Sequence, residues 1–267
     1  MRFLPSLFRV ATVLGLAVAA AAITHAPVTA EDAAAPTTCH APADLVRLVN
    51  PLKRVSQRIA AGQPLTIVAI GSSSTAGAGA SSPAMSYPSR LAAELQEMYP
   101  KLSITVVNRG VNGEESRDML ARFDRDVFAQ HPDLVLWQVG SNSVLRDHPT
   151  PGEVIRRGVE RLKASGTEVI LVNPQYAPKI LAKPDVDRAV DVITATARDA
   201  EVGLFNRFMV MRNWVEGEKM SFDQFLSPDG LHMNDWSYAC TAKLLAGAIL
   251  EDTKLPPAMA APASVIQ

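Results

Sequence analysis

The sequence predicts an α/β fold with a central, mostly parallel sheet of five strands. Short apolar runs rich in β-branched residues alternate with longer segments in which apolar residues recur at helical spacing. The strand runs are continuously apolar, which is typical of a parallel sheet covered by helices on both faces. No internal repeat or linker interrupts this alternation. The predicted strands are 66–70, 102–107, 133–139, 168–172 and 202–205.

The helices follow from the same spacing. The first predicted helix, 43–61, contains Pro51, which is expected to kink or split it. Ser86 is the expected N-cap of the next helix, and Pro88 lies in its first turn. The remaining helices are predicted at 116–129, 150–164, 185–200, 208–216 and 235–251.

The N-terminus resembles a secretory signal peptide. Arg2 and Arg9 flank a short start, an uncharged apolar run covers 10–23, and small residues at 28–30 suit cleavage before Glu31. The alternative is an uncleaved membrane anchor. The predicted organisation is a signal peptide, a flexible leader, one folded domain and a flexible tail, at 1–30, 31–42, 43–253 and 254–267.

The charge balance gives no reason to expect nucleic acid or an anionic membrane as partner. The chain has 26 basic and 27 acidic residues, and the signal peptide contains two of the arginines and no acid. The exported chain is therefore expected to be slightly acidic, with no membrane span.

Two cysteines, Cys39 and Cys240, are expected to form a disulfide in an oxidising compartment. The bridge would tie the N-terminal segment to the last helix. The alternative is two separate buried thiols. The cysteines are far apart in sequence and lack nearby Cys or His partners, so they do not indicate a zinc site.

The first strand ends at Gly71 and is followed at once by Ser72, Ser73 and Ser74. Ligands of parallel sheets bind at the carboxyl ends of strands, and a hydroxyl held there is well placed to be a nucleophile. The alternative is a small-residue loop that only turns the chain.

A nucleophilic serine needs a base and a group that orients the base. His232 lies just before the last helix, and Asp229 is three residues upstream, within reach of the imidazole through one turn. Two alternatives stay open at this point: His148, after strand three, as the base, and Asp229 as a helix cap beside a surface histidine.

Hydrolysis also needs donors for an oxyanion. The Gly113 N–H and the Asn142 side-chain amide follow strands two and three, although Gly and Asn are also ordinary turn residues. There is no Gly-x-Ser-x-Gly elbow, which argues against an α/β-hydrolase, and no Gly-x-Gly-x-x-Gly for a dinucleotide.

Four short blocks in this order resemble those of the SGNH (GDSL-type) hydrolase family. They are Gly71 to Thr75, Asn108 to Gly113, Gly140 to Asn142 and Asp229 to His232. The resemblance covers about residues 65–250. It implies a flavodoxin-like three-layer α/β/α sandwich, and a site in which Ser73 is the nucleophile, His232 the base and Asp229 its orienter. It further implies that the N–H groups of Ser73 and Gly113 and the Asn142 amide form the oxyanion hole.

Two positions depart from the family pattern. Ser72 stands where the family usually has Asp before the nucleophile, and Ser143 stands where Asp usually follows the asparagine. These variant blocks, GSSST and GSNS, lack no member of the implied triad. We expect any difference in substrate from other family members to originate in the serine loop.

The predicted function is an exported, periplasmic or secreted serine esterase that needs no metal or organic cofactor. Its predicted substrate is a small-molecule or glycan ester, above all O-acetyl groups on carbohydrate, with transfer to another hydroxyl as a variant. Trp236 is either a sugar-stacking face or a packing residue of the last helix. The alternatives are a lipid or short-chain acyl esterase and a non-catalytic glycan-binding envelope protein. The sequence makes no prediction of oligomeric state.

Overall fold

The computed structural model describes residues 38–253, and its centre is a five-stranded sheet in the order β2-β1-β3-β4-β5. All four strand pairs are parallel. The five-stranded α/β prediction is confirmed, and the sheet is wholly rather than mostly parallel. The strands are β1 Leu65–Gly71, β2 Ile104–Gly110, β3 Leu134–Gln138, β4 Glu168–Val172 and β5 Gly203–Phe205.

Helices connect the strands and cover both faces of the sheet. The longer helices are α2 Lys53–Ala60, α4 Tyr87–Met98, α8 Gly152–Ala164, α10 Val186–Asp199, α11 Arg207–Glu216 and α13 Asp235–Thr253. Shorter α-helices are α1 Ala43–Val46, α3 Ser73–Ala76, α5 Ser116–Ala121, α6 Phe123–Asp126, α7 Ser141–Leu145, α9 Pro178–Leu181 and α12 Phe222–Phe225. Two single 3₁₀ turns occupy Pro83–Met85 and Phe128–Gln130.

The central strands are largely apolar because each one contributes to two cores. In β1, Ile67 and Ala69 belong to a core shared with α4 and α13, while Val68 and Ile70 belong to a second core shared with α8 and α10. Successive side chains of a strand point to opposite faces, so both sets are buried and no polar alternation remains. The result is the three-layer α/β/α arrangement that the family resemblance implied.

Two predicted helices are interrupted. The 43–61 segment divides into α1 and α2, with Pro51 in the gap, as the proline allowed. The 116–129 segment divides into α5, α6 and a 3₁₀ turn. The break in the second falls at Arg122, whose buried guanidinium is bound to Glu114 and Asp126.

Cys39 and Cys240 form a disulfide with a Cα–Cα distance of 5.2 Å. This bond joins the segment before α1 to α13, as expected from the sequence. The same segment packs on the domain through the buried Ala41 and through the Trp214 indole, which donates to the His40 carbonyl at 3.0 Å.

The predicted signal peptide and tail, 1–30 and 254–267, lie outside the described residues, as does the leader up to 37. Within 38–253, every helix is either too short or too polar to cross a bilayer.

Candidate active site

Ser73 begins α3, immediately beyond the carboxyl end of β1. Ser72 and Ser74 are buried, whereas Ser73 is partly exposed. The turn needs glycine at position 71, since a Cβ atom there would lie 2.1 Å from Thr75 Oγ1 and 2.9 Å from the Gln138 side chain. Because its two neighbours are buried, Ser73 is the serine of this turn that solvent and substrate can reach.

The structure brings Ser73 together with the two residues predicted as its partners. His232 Nε2 lies 2.7 Å from Ser73 Oγ, and His232 Nδ1 lies 2.5 Å from Asp229 Oδ2. With Nδ1 protonated, the ring donates to the carboxylate and accepts from the hydroxyl. These contacts form a continuous hydrogen-bonded chain from Asp229 to Ser73.

The loop that carries His232 is ordered by Asp229 itself. The Asp229 Oδ1 atom accepts hydrogen bonds from the backbone N–H groups of Leu231 and His232, each at 2.9 Å, and from the Ser227 hydroxyl at 2.8 Å. One carboxylate oxygen therefore shapes the turn while the other orients the imidazole.

Asp229 is held in its charged form. Burial alone raises the pKa of Asp229, but hydrogen bonds from the His232 ring, from the N–H groups of His232 and Leu231 and from Ser227 outweigh this effect. Together they hold the pKa well below its usual range. A fixed negative charge beside Nδ1 is what an imidazole needs in order to accept a proton at Nε2.

The alternative base, His148, lies elsewhere. Its Nδ1 atom is 3.0 Å from Glu115 Oε1, and its ring is 57% exposed. No hydrogen bond joins it to any of the three serines within the described residues. The geometry thus favours His232.

Gly113 and Asn142 lie in adjoining segments. The Asn142 amide donates one hydrogen bond to the carbonyl of Glu114 at 2.8 Å, and the Arg146 guanidinium donates to the Gly113 carbonyl at 2.8 Å. Gly113 has a φ of +80°, and a Cβ atom there would meet only Arg146, at 3.5 Å. An amide nitrogen carries two hydrogens, so Asn142 retains a second donor for a ligand.

The two departures from the family pattern have neighbours that suit hydroxyls. Ser72 donates to Gln138 Oε1 from its backbone N–H at 2.9 Å and from its hydroxyl at 2.8 Å. Ser143 donates to Glu115 Oε2 at 3.2 Å, and the Arg146 guanidinium lies 2.8 Å from the same carboxylate. Both serines are buried, so these partners satisfy groups that water cannot reach.

The loop after α3 is anchored on α13. The backbone N–H and the hydroxyl of Ser81 both donate to Asp235, and the Tyr238 hydroxyl donates to the Ala78 carbonyl at 2.7 Å. Trp236 lies edge-to-face against Trp214, with ring centroids 5.1 Å apart. This contact favours a packing role for the partly buried Trp236 over a sugar-stacking role.

The sequence analysis missed three polar residues behind the site: Gln138, Gln175 and Arg207. All three are buried at the carboxyl ends of strands, after or at the end of β3, β4 and β5. A signal existed for Gln138, because it is a polar residue at the end of an otherwise apolar strand. Among the described residues, no group of three or more His, Cys, Asp or Glu side chains is arranged to hold a metal ion.

Comparison with known proteins identifies a family for this chain. The sequence profile of the non-GDSL lipase-like family matches residues 38–255. The chain belongs to this family. Membership supports the predicted SGNH-like esterase family.

Similar proteins of this kind include esterases. An acetylxylan esterase from Geobacillus stearothermophilus is 47% identical over 57 residues, which is 21% of this chain and 26% of that protein. An arylesterase from Vibrio mimicus is 25% identical over 152 residues, 55% of this chain and 71% of that protein. The chain thus matches only about a quarter of the length of the acetylxylan esterase.

Solved structures share the fold. A two-domain esterase active on acetylated mannans, co-crystallised with mannopentaose, superposes with a TM-score of 0.67 at 22% identity. The match covers 79% of this chain and 56% of that chain. A variant of the acetyl xylan esterase from Geobacillus stearothermophilus superposes with a TM-score of 0.58 at 25% identity, over 71% of this chain and 94% of that chain.

Proposed function

We propose that this protein is an exported serine esterase that removes acetyl groups from carbohydrate. The observation that carries the proposal is the hydrogen-bonded chain from Asp229 through His232 to Ser73 at the carboxyl end of β1. A serine with a base within hydrogen-bond reach, and a third group that orients the base, is the arrangement required for nucleophilic acyl transfer.

In the first half-reaction, Ser73 Oγ attacks the ester carbonyl carbon as His232 Nε2 accepts the hydroxyl proton. The carbonyl oxygen becomes an oxyanion, which the N–H groups of Ser73 and Gly113 and the free N–H of Asn142 stabilise. The bond between the carbonyl carbon and the sugar oxygen then breaks. The sugar oxygen takes the proton from His232, and the acetyl group stays on Ser73.

In the second half-reaction, water attacks the acetyl-Ser73 carbonyl and gives a proton to His232. Collapse of the second oxyanion releases acetate, and the proton returns to Ser73. The charge of Asp229 stabilises the imidazolium in both halves. A sugar hydroxyl in place of water would make the protein an acetyltransferase.

The carbohydrate assignment is supported by the relatives. One is an acetylxylan esterase, and a structural neighbour is active on acetylated mannans. The loop after Ser73, from Gly77 to Pro83, consists of small residues, and we expect it to leave room for a short acyl group on a bulky alcohol.

Export is supported by two features. The N-terminal sequence resembles a signal peptide, and the Cys39–Cys240 disulfide suits an oxidising compartment.

The proposal has two further parts. The GSSST and GSNS blocks are this chain's form of the SGNH site. The chain is divided into a signal peptide, a leader, a hydrolase domain and a tail at 1–30, 31–42, 43–253 and 254–267.

A second candidate is an esterase for aryl or short-chain lipid esters, because one relative is an arylesterase. Activity against acetyl, butyryl and octanoyl esters of p-nitrophenol, together with acetylated xylo- and manno-oligosaccharides, separates the two. The proposed function predicts a strong preference for acetyl and release of acetate from the oligosaccharides. A preference for octanoyl would favour the lipid esterase.

A non-catalytic glycan-binding role is tested by labelling with a fluorophosphonate. Only an activated serine reacts readily with this reagent. We expect labelling of the wild-type protein and none of Ser73→Ala. An unlabelled wild-type protein that still binds acetylated oligosaccharide would establish the binding role instead.

A further inference from the structure

Arg207 is a fully buried cation next to the candidate site. It is the first residue of α11, separated from the end of β5 at Phe205 by one residue, and it is 1% exposed. The sheet places this end of β5 on the same edge as the serine turn of β1. The mechanism proposed above assigns it no task.

All three sides of the guanidinium are bound. Nη1 donates to the Ser74 hydroxyl at 3.0 Å, Nη2 donates to Gln175 Oε1 at 3.0 Å, and Nε donates to the Asn173 carbonyl at 3.1 Å. Arg207 thus bridges the serine turn and the segment that follows β4.

Gln175 extends this bridge to two further loops. Its Nε2 atom donates to the carbonyl of Leu231, the residue before His232, at 3.3 Å. Its Oε1 atom also accepts from the hydroxyl of Ser141, the residue before Asn142, at 2.8 Å. The segments that carry Ser73, Asn142 and His232 are therefore all linked to the side-chain pair of Arg207 and Gln175.

Among the described residues, Arg207 has no carboxylate partner, since the three groups that accept its hydrogen bonds are all neutral. Burial lowers the pKa of Arg207 to about 10, so it remains charged at neutral pH. Burying a charge without a counterion is strongly unfavourable unless its donors are satisfied by hydrogen bonds. An apolar residue of similar volume often gives equal or greater stability at such a position, so stability alone does not explain an arginine here.

We propose that Arg207 is a positioning residue of the active site, which holds the turn carrying Ser73 in register with the loop carrying His232. It acts through Ser74 and Gln175 and does not touch the substrate. The inference rests on the proposed function, because it assigns the register to acyl transfer. The planar fork of arginine suits this task, since it directs several donors to separate partners at once.

The first test compares two arginine-to-methionine variants. Arg207→Met removes the bridge but keeps most of the side-chain volume. Arg58→Met is the matched control, because Arg58 binds Asp133 at the opposite edge of the sheet. With p-nitrophenyl acetate, we expect Arg207→Met to lose about 10- to 100-fold in kcat with little change in KM, since small misplacements of reacting groups lower the rate steeply. We expect the control to keep its kcat.

Arg207→Lys separates the bridge from the charge. Lysine keeps the positive charge but is a point donor that cannot span the three partners. We expect it to lose kcat as Arg207→Met does. A wild-type kcat in Arg207→Lys, or equal losses in Arg207→Met and Arg58→Met, would overturn the proposal.

A second measurement does not depend on activity. Hydrogen–deuterium exchange of the folded proteins is compared for peptides covering 72–78 and 226–233. We expect faster exchange in both peptides for Arg207→Met, and wild-type exchange there for Arg58→Met. Unchanged exchange in both peptides would refute the positioning role. Failure of the proposed function would look different, because the wild-type protein itself would then lack esterase activity and fluorophosphonate labelling.

Discussion

Gln138 Oε1 accepts two hydrogen bonds from Ser72, one from the backbone N–H and one from the hydroxyl. Ser72 stands at the position where the SGNH (GDSL-type) family usually has an aspartate. A carboxylate at this position would have no proton to donate to Oε1. The serine and the glutamine are therefore a matched neutral pair beneath the nucleophile.

This pair predicts the effect of restoring the acid. Ser72→Ala removes one of the two donors and is expected to lower the free energy of unfolding by about 1 kcal/mol. Ser72→Asp places a buried carboxylate beside an acceptor oxygen and is expected to lower it by at least about 2 kcal/mol. Urea unfolding of both variants measures the difference. An aspartate variant as stable as the alanine variant would contradict this account of the pair.

Asn142 is predicted to donate to the oxyanion. Removing one such donor typically lowers the rate by about 10²–10³-fold, so Asn142→Ala should lose this much in kcat with p-nitrophenyl acetate. Asn142 also holds the Glu114 carbonyl, so a control for loop anchoring is needed. Arg146→Met serves here, because Arg146 holds the neighbouring Gly113 carbonyl without being an expected oxyanion donor. Equal losses in the two variants would assign Asn142 a purely structural role.

Asp229→Asn is predicted to reduce kcat by about two to four orders of magnitude, because a neutral amide neither fixes the required tautomer of His232 nor stabilises its charged form. Steady-state kinetics at neutral pH measure the loss. Full activity of this variant would remove Asp229 from the mechanism.

The same carboxylate predicts a pH dependence of stability. Hydrogen bonds lower the pKa of Asp229 in the folded protein, so its stabilising contribution is present above the unfolded value of about 3.9 and is lost as the pH falls toward the folded value. The difference in unfolding free energy between the wild type and Asp229→Asn should be largest near neutral pH and shrink below about pH 4. A difference in unfolding free energy that increases as the pH falls would contradict this prediction.

The disulfide is predicted to contribute to stability more than to activity. It joins residues 201 positions apart, and a closed loop of this length corresponds to about 5 kcal/mol in the chain-entropy description. The double variant Cys39→Ser/Cys240→Ser should therefore unfold at lower denaturant concentration while keeping its kcat where it remains folded. A kcat that falls in the folded double variant would show that α13 needs the bridge to position the loop after Ser73.

The fold could be predicted because each strand of the sheet contains a short apolar run. Ile67 and Val68 point to different cores, so both faces of β1 are buried, and its apolar run from Ile67 to Ile70 differs from the alternating pattern of a half-exposed strand. The short helices α3, α7, α9 and α12 were not predicted, because four or five residues are too few to show a helical period. Of these four helices, only α12 begins with a capping box, formed by Ser221 and Gln224, whereas α3, α7 and α9 have no side-chain cap.

The candidate site could be predicted from the sequence where its residues follow strand ends. Ser73, Gly113 and Asn142 each follow a strand of the parallel sheet, and His232 and Asp229 form a local pair. Arg207 was not predictable in the same way. Its contact with Ser74 joins residues 133 positions apart, and nothing in the local sequence around either residue indicates the other. Such partnerships depend on how the loops meet in three dimensions.

The most direct test of the central claim is the identity of the acylated residue. The protein is mixed with p-nitrophenyl acetate, quenched in acid during turnover, and analysed by intact mass and peptide mapping. The account predicts a single acetyl group on Ser73 and none in Ser73→Ala, which should also lose turnover. Acetyl on Ser72 or Ser74, or unchanged turnover in Ser73→Ala, would contradict it.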